Sequence, residues 1–213
     1  MALADAGGHL RYPNEVSAWM TKEFGRLGGP WLCPVAAATN ERRATRIQGT
    51  VLGTVRSAFS TSDWGWENMG GEQRLVLTSY TFNFAVTTLA TNADSLNDGQ
   101  FFEESQVKPA MTPLFGDGIL DVYGFDPLTR PPVNLFNPAE QPPPWVYGIN
   151  AWGVPRHGNH PDSVPTRWPA NQRLPGQINM AFFDGHVSPV KLEDLWQLYW
   201  YQNYSPPAKR PGL

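Results

Sequence analysis

The chain has 213 residues, with 16 Lys and Arg against 19 Asp and Glu, a net charge of -3 and one cysteine. That length suits one domain, taken as 1–213, that can bury most of its apolar surface without staples. The scattered basic residues exclude a phosphate-binding surface and with it nucleic acid, lone Cys33 excludes an internal disulfide, and no apolar run reaches the roughly 18 residues a membrane helix needs.

Read in chain order, Met1–Gly8 has neither a basic n-region nor an apolar run, so no secretory signal is expected there. The pattern Val16, Met20, Phe24 and Leu27 behind the N-cap residue Asn14, stopped by Gly28-Gly29, predicts a helix over 14–27. Trp31–Pro34 is a short apolar plug, and Cys33 within it reads as a buried, inert thiol. A thiol nucleophile would need a His and a polar orienter near it in space. Residues 49–60 fit helix or strand equally. Asp63–Trp66 is a turn-rich aromatic loop, and 74–88 is the clearest strand or hairpin region, rich in aromatic and β-branched residues.

Farther along, 111–122 is mixed, with a turn predicted at Gly116-Asp117-Gly118. Pro131–Pro144 and 157–176 read as long irregular loops, in keeping with 21 Pro and 20 Gly. The C-terminal part is the best punctuated. Residues 178–183 form an apolar strand, Asp184-Gly185 a hairpin turn and 187–190 the return strand. Leu192, Leu195, Trp196 and Tyr199 then follow the spacing of one helical face. Trp200 lies off that stripe and reads as a surface residue, and the tail from Ser205 is extended. Together these elements predict an α+β fold: a small antiparallel sheet packed with helices and long Pro- and Gly-rich loops.

Four passages carry a resemblance: Leu32–Pro34, Thr78–Asn83, Thr112–Gly118 and Ile178–Val187. In order and rough spacing they resemble the soluble part of bacterial prepilin-like, or type II secretion pseudopilin-like, proteins, whose C-terminal region carries a His and then an Asp-Gly hairpin. The resemblance covers the chain from about Trp31 onward and is most specific in the last passage with the helix behind it. It implies a structural, assembly-type domain in the cell envelope or outside the cell. The leader and long apolar helix of such proteins are not found in these residues, so a soluble chain is expected. His157 also stands much farther before Asp184 than in that family, because 158–176 intervenes.

His157, His160 and Asp162, with His186 or Asp184 from the hairpin, are candidate ligands for a divalent metal, although a Pro- and Gly-rich loop is not a usual zinc spacing. The plainer reading has Arg156 and His157 tying their loop to the sheet. Asp184 and Asp117 read first as turn residues. A second class of function, a sugar-binding module or atypical glycoside hydrolase, rests on nine Trp beside loop carboxylates. Its acids would come from Glu103, Glu104, Asp117 and Asp121, since such hydrolysis needs two carboxylates facing each other. Its aromatic platforms would be Trp64, Trp66, Trp152 and Trp168, which otherwise serve as large core fillers. Neighbouring residues on a strand point apart, so Glu103 and Glu104 cannot form the pair alone. With no nucleophile elbow, phosphate loop or dinucleotide fingerprint, no cofactor is expected. Protein partners, self-association or a carbohydrate remain as the partner classes.

Overall fold

The computed structural model of the chain describes residues 32–37, 46–47, 50–51, 53–62, 75–83, 108–119, 130–138, 148–161, 163–201 and 204–213. The helix expected over 14–27 and the loop at Asp63–Trp66 lie outside them. Among the described residues, eight strands form two four-stranded sheets in which chain order and spatial order coincide. The first sheet runs β1 (Arg46–Ile47), β2 (Thr50–Val51), β3 (Phe59–Ser62) and β4 (Leu75–Thr78). The second runs β5 (Tyr80–Phe82), β6 (Pro113–Asp117), β7 (Gln177–Phe182) and β8 (Val187–Lys191). Every pairing is antiparallel.

The strand region expected over 74–88 thus divides between two sheets. Ser79 alone separates β4 from β5, and the chain leaves one sheet and enters the other there. Thr78 eases the change of direction by accepting the Tyr80 N–H on its hydroxyl at 3.0 Å.

The second sheet carries the core. Ile178, Met180 and Phe182 alternate along β7, all at or below 3% exposure, as the period of two requires. Against them pack Trp152, Trp196, Trp200, Leu192, Leu195 and Ile149. The predicted hairpin is present: Ala181 pairs with Val187, and Gly185 takes φ +88°. A residue with a Cβ would be strained at that angle.

The turn expected at Gly116-Asp117-Gly118 is a correction, because Gly116 and Asp117 lie in β6. Neither Gly116 nor Gly118 is among the positive-φ glycines. Their small size serves close approach instead. A Cβ on Gly116 would stand 2.6 Å from the Asn179 carbonyl oxygen and 3.2 Å from the Trp152 ring. Glycine inside a strand often marks such an approach rather than a bend.

The expected α+β architecture is also corrected. Among the described residues the chain is mostly sheet, and its helical pieces are short 3-10 turns at Pro34–Ala36, Gly148–Trp152 and Leu192–Gln197. The last replaces the predicted amphipathic helix, and competing hydrogen bonds explain why it stops early. The Leu195 carbonyl accepts the Trp200 indole N–H at 2.8 Å, and the Trp196 carbonyl accepts the Tyr204 hydroxyl at 2.9 Å. The Tyr199 N–H leaves for the Met111 carbonyl at 3.0 Å. Leu198 is extended. Beyond it the helical stripe no longer governs side-chain direction, so Trp200 is fully buried rather than exposed. The layer over the sheet is therefore made of loops and tight turns carrying large aromatics. No helix among the described residues is long and apolar enough to cross a membrane.

The tail is docked by Arg210, whose guanidinium donates to the Glu193 carboxylate at 2.8 Å and to the carbonyls of Ala170 and Gln172. Glu193 also accepts the Leu174 N–H at 2.8 Å, so one carboxylate holds a loop, a turn and the tail together.

Candidate metal centre

Three segments distant in sequence meet beside Ser79. Pro34 opens a 3-10 turn, and its fixed φ suits that first position. This leaves Cys33 just outside the turn, where its N–H donates to the Ser79 hydroxyl. Asp117 ends β6, and its Oδ2 accepts the Asn179 N–H at 2.8 Å. His157 joins the edge of β7 by a backbone bridge to Gln177, with bonds of 2.9 and 2.8 Å.

The side chains converge. Cys33 Sγ lies 3.4 Å from His157 Nε2, and the same nitrogen lies 3.2 Å from Asp117 Oδ2. One donor atom from each residue falls within 4.8 Å of the others. Cys33 and Asp117 are buried, while the His157 side chain is 22% exposed and gives the group its contact with solvent.

Arg156 lies behind them, fully buried. It donates to the carbonyls of Ser79, of Thr54 at 3.0 Å and of Ser57 at 3.4 Å, and so fastens the loop before β3 to the junction of the two sheets. Its nearest approach to Asp117 is 3.7 Å, too long for a hydrogen bond. Asp117 Oδ1 and Arg156 Nε are left without hydrogen-bond partners. Burial lowers the Arg156 pKa from its ordinary value, opposed first by the Asp117 charge. Burial, and then the Asp117 charge, raise the Cys33 thiol, and the same two causes raise the Tyr80 phenol.

This geometry does not suit a thiol nucleophile. A relay uses both ring nitrogens, one to take the proton and the other to be oriented by the acid. Here both neighbours crowd Nε2, and the thiol is harder, not easier, to ionise. The cluster is a convergent set of sulfur, nitrogen and oxygen donors.

The residues singled out from the sequence are dispersed. His157 is in the cluster, and the plainer reading of Arg156 and His157 as ties to the sheet also describes their bonds. His160 Nδ1 lies 3.0 Å from the Pro161 carbonyl oxygen. His186 sits at the hairpin tip, stacked on Phe182 at 4.4 Å, with Nδ1 2.5 Å from Asp184 Oδ1. The length of β7 separates it from His157, so the two do not share a metal. Asp162, Glu103, Glu104, Asp121, Trp64 and Trp66 lie outside the described residues. Asp117 is a buried ion-pair partner rather than a turn residue. Trp152 is fully buried, 5.1 Å from the Trp200 ring, and offers no face to a sugar; Trp168 is packed partly buried against the core.

Sequence reasoning missed the pairing of Cys33 and Asp117 with His157. The one available signal was that Cys33, Ser79 and Asp117 fall in three of the four passages that carry the resemblance. No family model, curated protein or solved structure matches the chain.

Proposed function

We propose that this chain is a structural, assembly-type domain similar to the soluble region of prepilin-like and pseudopilin-like proteins. One observation carries the reading. The four passages behind the resemblance belong to one unit: three contribute β5, β6 and the β7–β8 hairpin of a single sheet, and the fourth is held to Ser79 beside it through the Cys33 N–H. Segments so far apart in sequence need not have met if the resemblance were a chance of composition. The outer face of that sheet supports an assembly role. Phe82, Phe115, Ala181 and Val187 form one row across its four strands, with Phe115 36% and Val187 68% exposed. Phe82 and Ala181 in the same row are buried, so the exposed apolar surface offered to another protein is that of Phe115 and Val187.

Sedimentation velocity of the whole chain over a broad concentration range tests the proposal. Reversible self-association is expected, weakened by Val187→Asp at unchanged melting temperature. A chain that stays monomeric at every concentration and turns over chromogenic glycosides would belong to the carbohydrate-active class instead.

A further inference from the structure

We infer that Cys33 Sγ, His157 Nε2 and Asp117 Oδ2 are the protein ligands of a divalent zinc-type cation, which fastens the 32–37 segment to the end of β6 and the edge of β7. The site goes beyond the assembly reading and does not depend on it.

Spacing is the first argument. Zinc bonds of about 2.0 to 2.3 Å at a tetrahedral angle set neighbouring nitrogen, oxygen and sulfur ligands roughly 3.3 to 3.6 Å apart. The observed separations are 3.4 Å from sulfur to nitrogen and 3.2 Å from nitrogen to oxygen. Ring geometry is the second. Sulfur and carboxylate face the same imidazole nitrogen, which can serve one hydrogen bond well but not two; a cation between the three atoms satisfies them all. Asp117 supplies the third, because its carboxylate is fully buried and the Oδ2 that faces His157 is held in place by the Asn179 N–H at 2.8 Å. A buried carboxylate needs its charge compensated, and a cation on Oδ2 does so. Thiolate beside imidazole selects zinc over calcium or magnesium, which take oxygen ligands.

Arg156 argues for a limited affinity, since its charge opposes a second cation. It meets Asp117 only through Oδ1 at 3.7 Å and is held by three carbonyl groups, while the metal would use Oδ2. Binding releases the Cys33 thiol proton to solvent as the sulfur–metal bond forms, and the metal charge stabilises the thiolate. Exposure of the His157 edge leaves the remaining coordination to water.

The whole chain, stripped with a chelator, is titrated with ZnCl2 by calorimetry and with CoCl2 by absorption. One equivalent of each should bind, and cobalt should give a thiolate charge-transfer band together with the visible bands of tetrahedral coordination. Cys33→Ser should abolish the charge-transfer band and weaken zinc at least tenfold, as should His157→Ala. His160→Ala should bind like the parent chain. Melting temperatures measured in chelator must match the stripped parent for each variant, so that lost binding is not lost folding. Should Cys33→Ser prove unstable, alkylation protection of Cys33 by zinc in the parent chain reads the same contact. Absence of a charge-transfer band, zinc affinity unchanged in Cys33→Ser or His157→Ala, or Cys33 alkylated equally fast with and without zinc would each overturn the site.

Discussion

Arg210 and Arg156 are both buried, and each faces a carboxylate, yet the two regions are built differently. Arg210 meets Glu193 at 2.8 Å, and the carboxylate oxygen it touches also accepts a backbone N–H. Arg156 and Asp117 are 3.7 Å apart, with an oxygen on one and a nitrogen on the other left without a hydrogen bond. A buried charge is tolerated when its bonding capacity is filled, as at Arg210, where loop, turn and tail are clasped and nothing is left over. At Asp117 capacity is left over on Oδ1, while Oδ2 faces an imidazole nitrogen that a sulfur also approaches. A clasp and a candidate ligand site are thus told apart by unused bonds, not by burial.

The largest test of this contrast is Arg156→Ala. It would strand Asp117 without a counter-charge and leave the Ser79, Thr54 and Ser57 carbonyls short of a donor, so a loss of about 3 to 5 kcal/mol is expected in urea unfolding. Arg210→Ala should cost less, about 2 kcal/mol from charge-assisted bonds, because Glu193 is 11% exposed and water can replace the arginine. If Arg210→Ala proved the more damaging, the tail clasp and not the sheet junction would dominate stability.

The smallest effect sharpens the comparison at an exposed pair. The His186 backbone N–H, and then its ring, lower the Asp184 pKa below 3.8. A carboxylate with a depressed folded pKa contributes stability that is fully present above the unfolded value and lost as pH falls through the folded one. Asp184→Asn should therefore melt slightly below the parent at neutral pH, and the gap should close in acid, below about pH 4. A gap independent of pH would mean that the turn gains nothing from the charge.

Local rules reached the hairpin, because each of its signals acts over a few residues. Ile178, Met180 and Phe182 alternate, and Gly185 supplies the backbone angle that the turn demands. The same rules failed at Gly116, where the need for a missing side chain is set by Trp152 and the Asn179 carbonyl, distant in the chain. They failed again at Leu192–Gln197: the spacing of apolar residues was right, but Trp200, Tyr204 and Met111 take the bonds that would have lengthened the helix.

The sequence by itself determined the C-terminal hairpin, the buried thiol and the ties made by Arg156 and His157. Tertiary structure alone decided which side chains share a site. Cys33 and His157 stand 124 residues apart, and their meeting requires Ser79 to anchor the one and Gln177 the other. Periodicity and turn chemistry act within a few residues of the chain. A convergent donor set depends on where β6 and β7 end relative to the 32–37 segment, and that placement is an outcome of packing around Trp152, Trp196 and Trp200 rather than of any local preference.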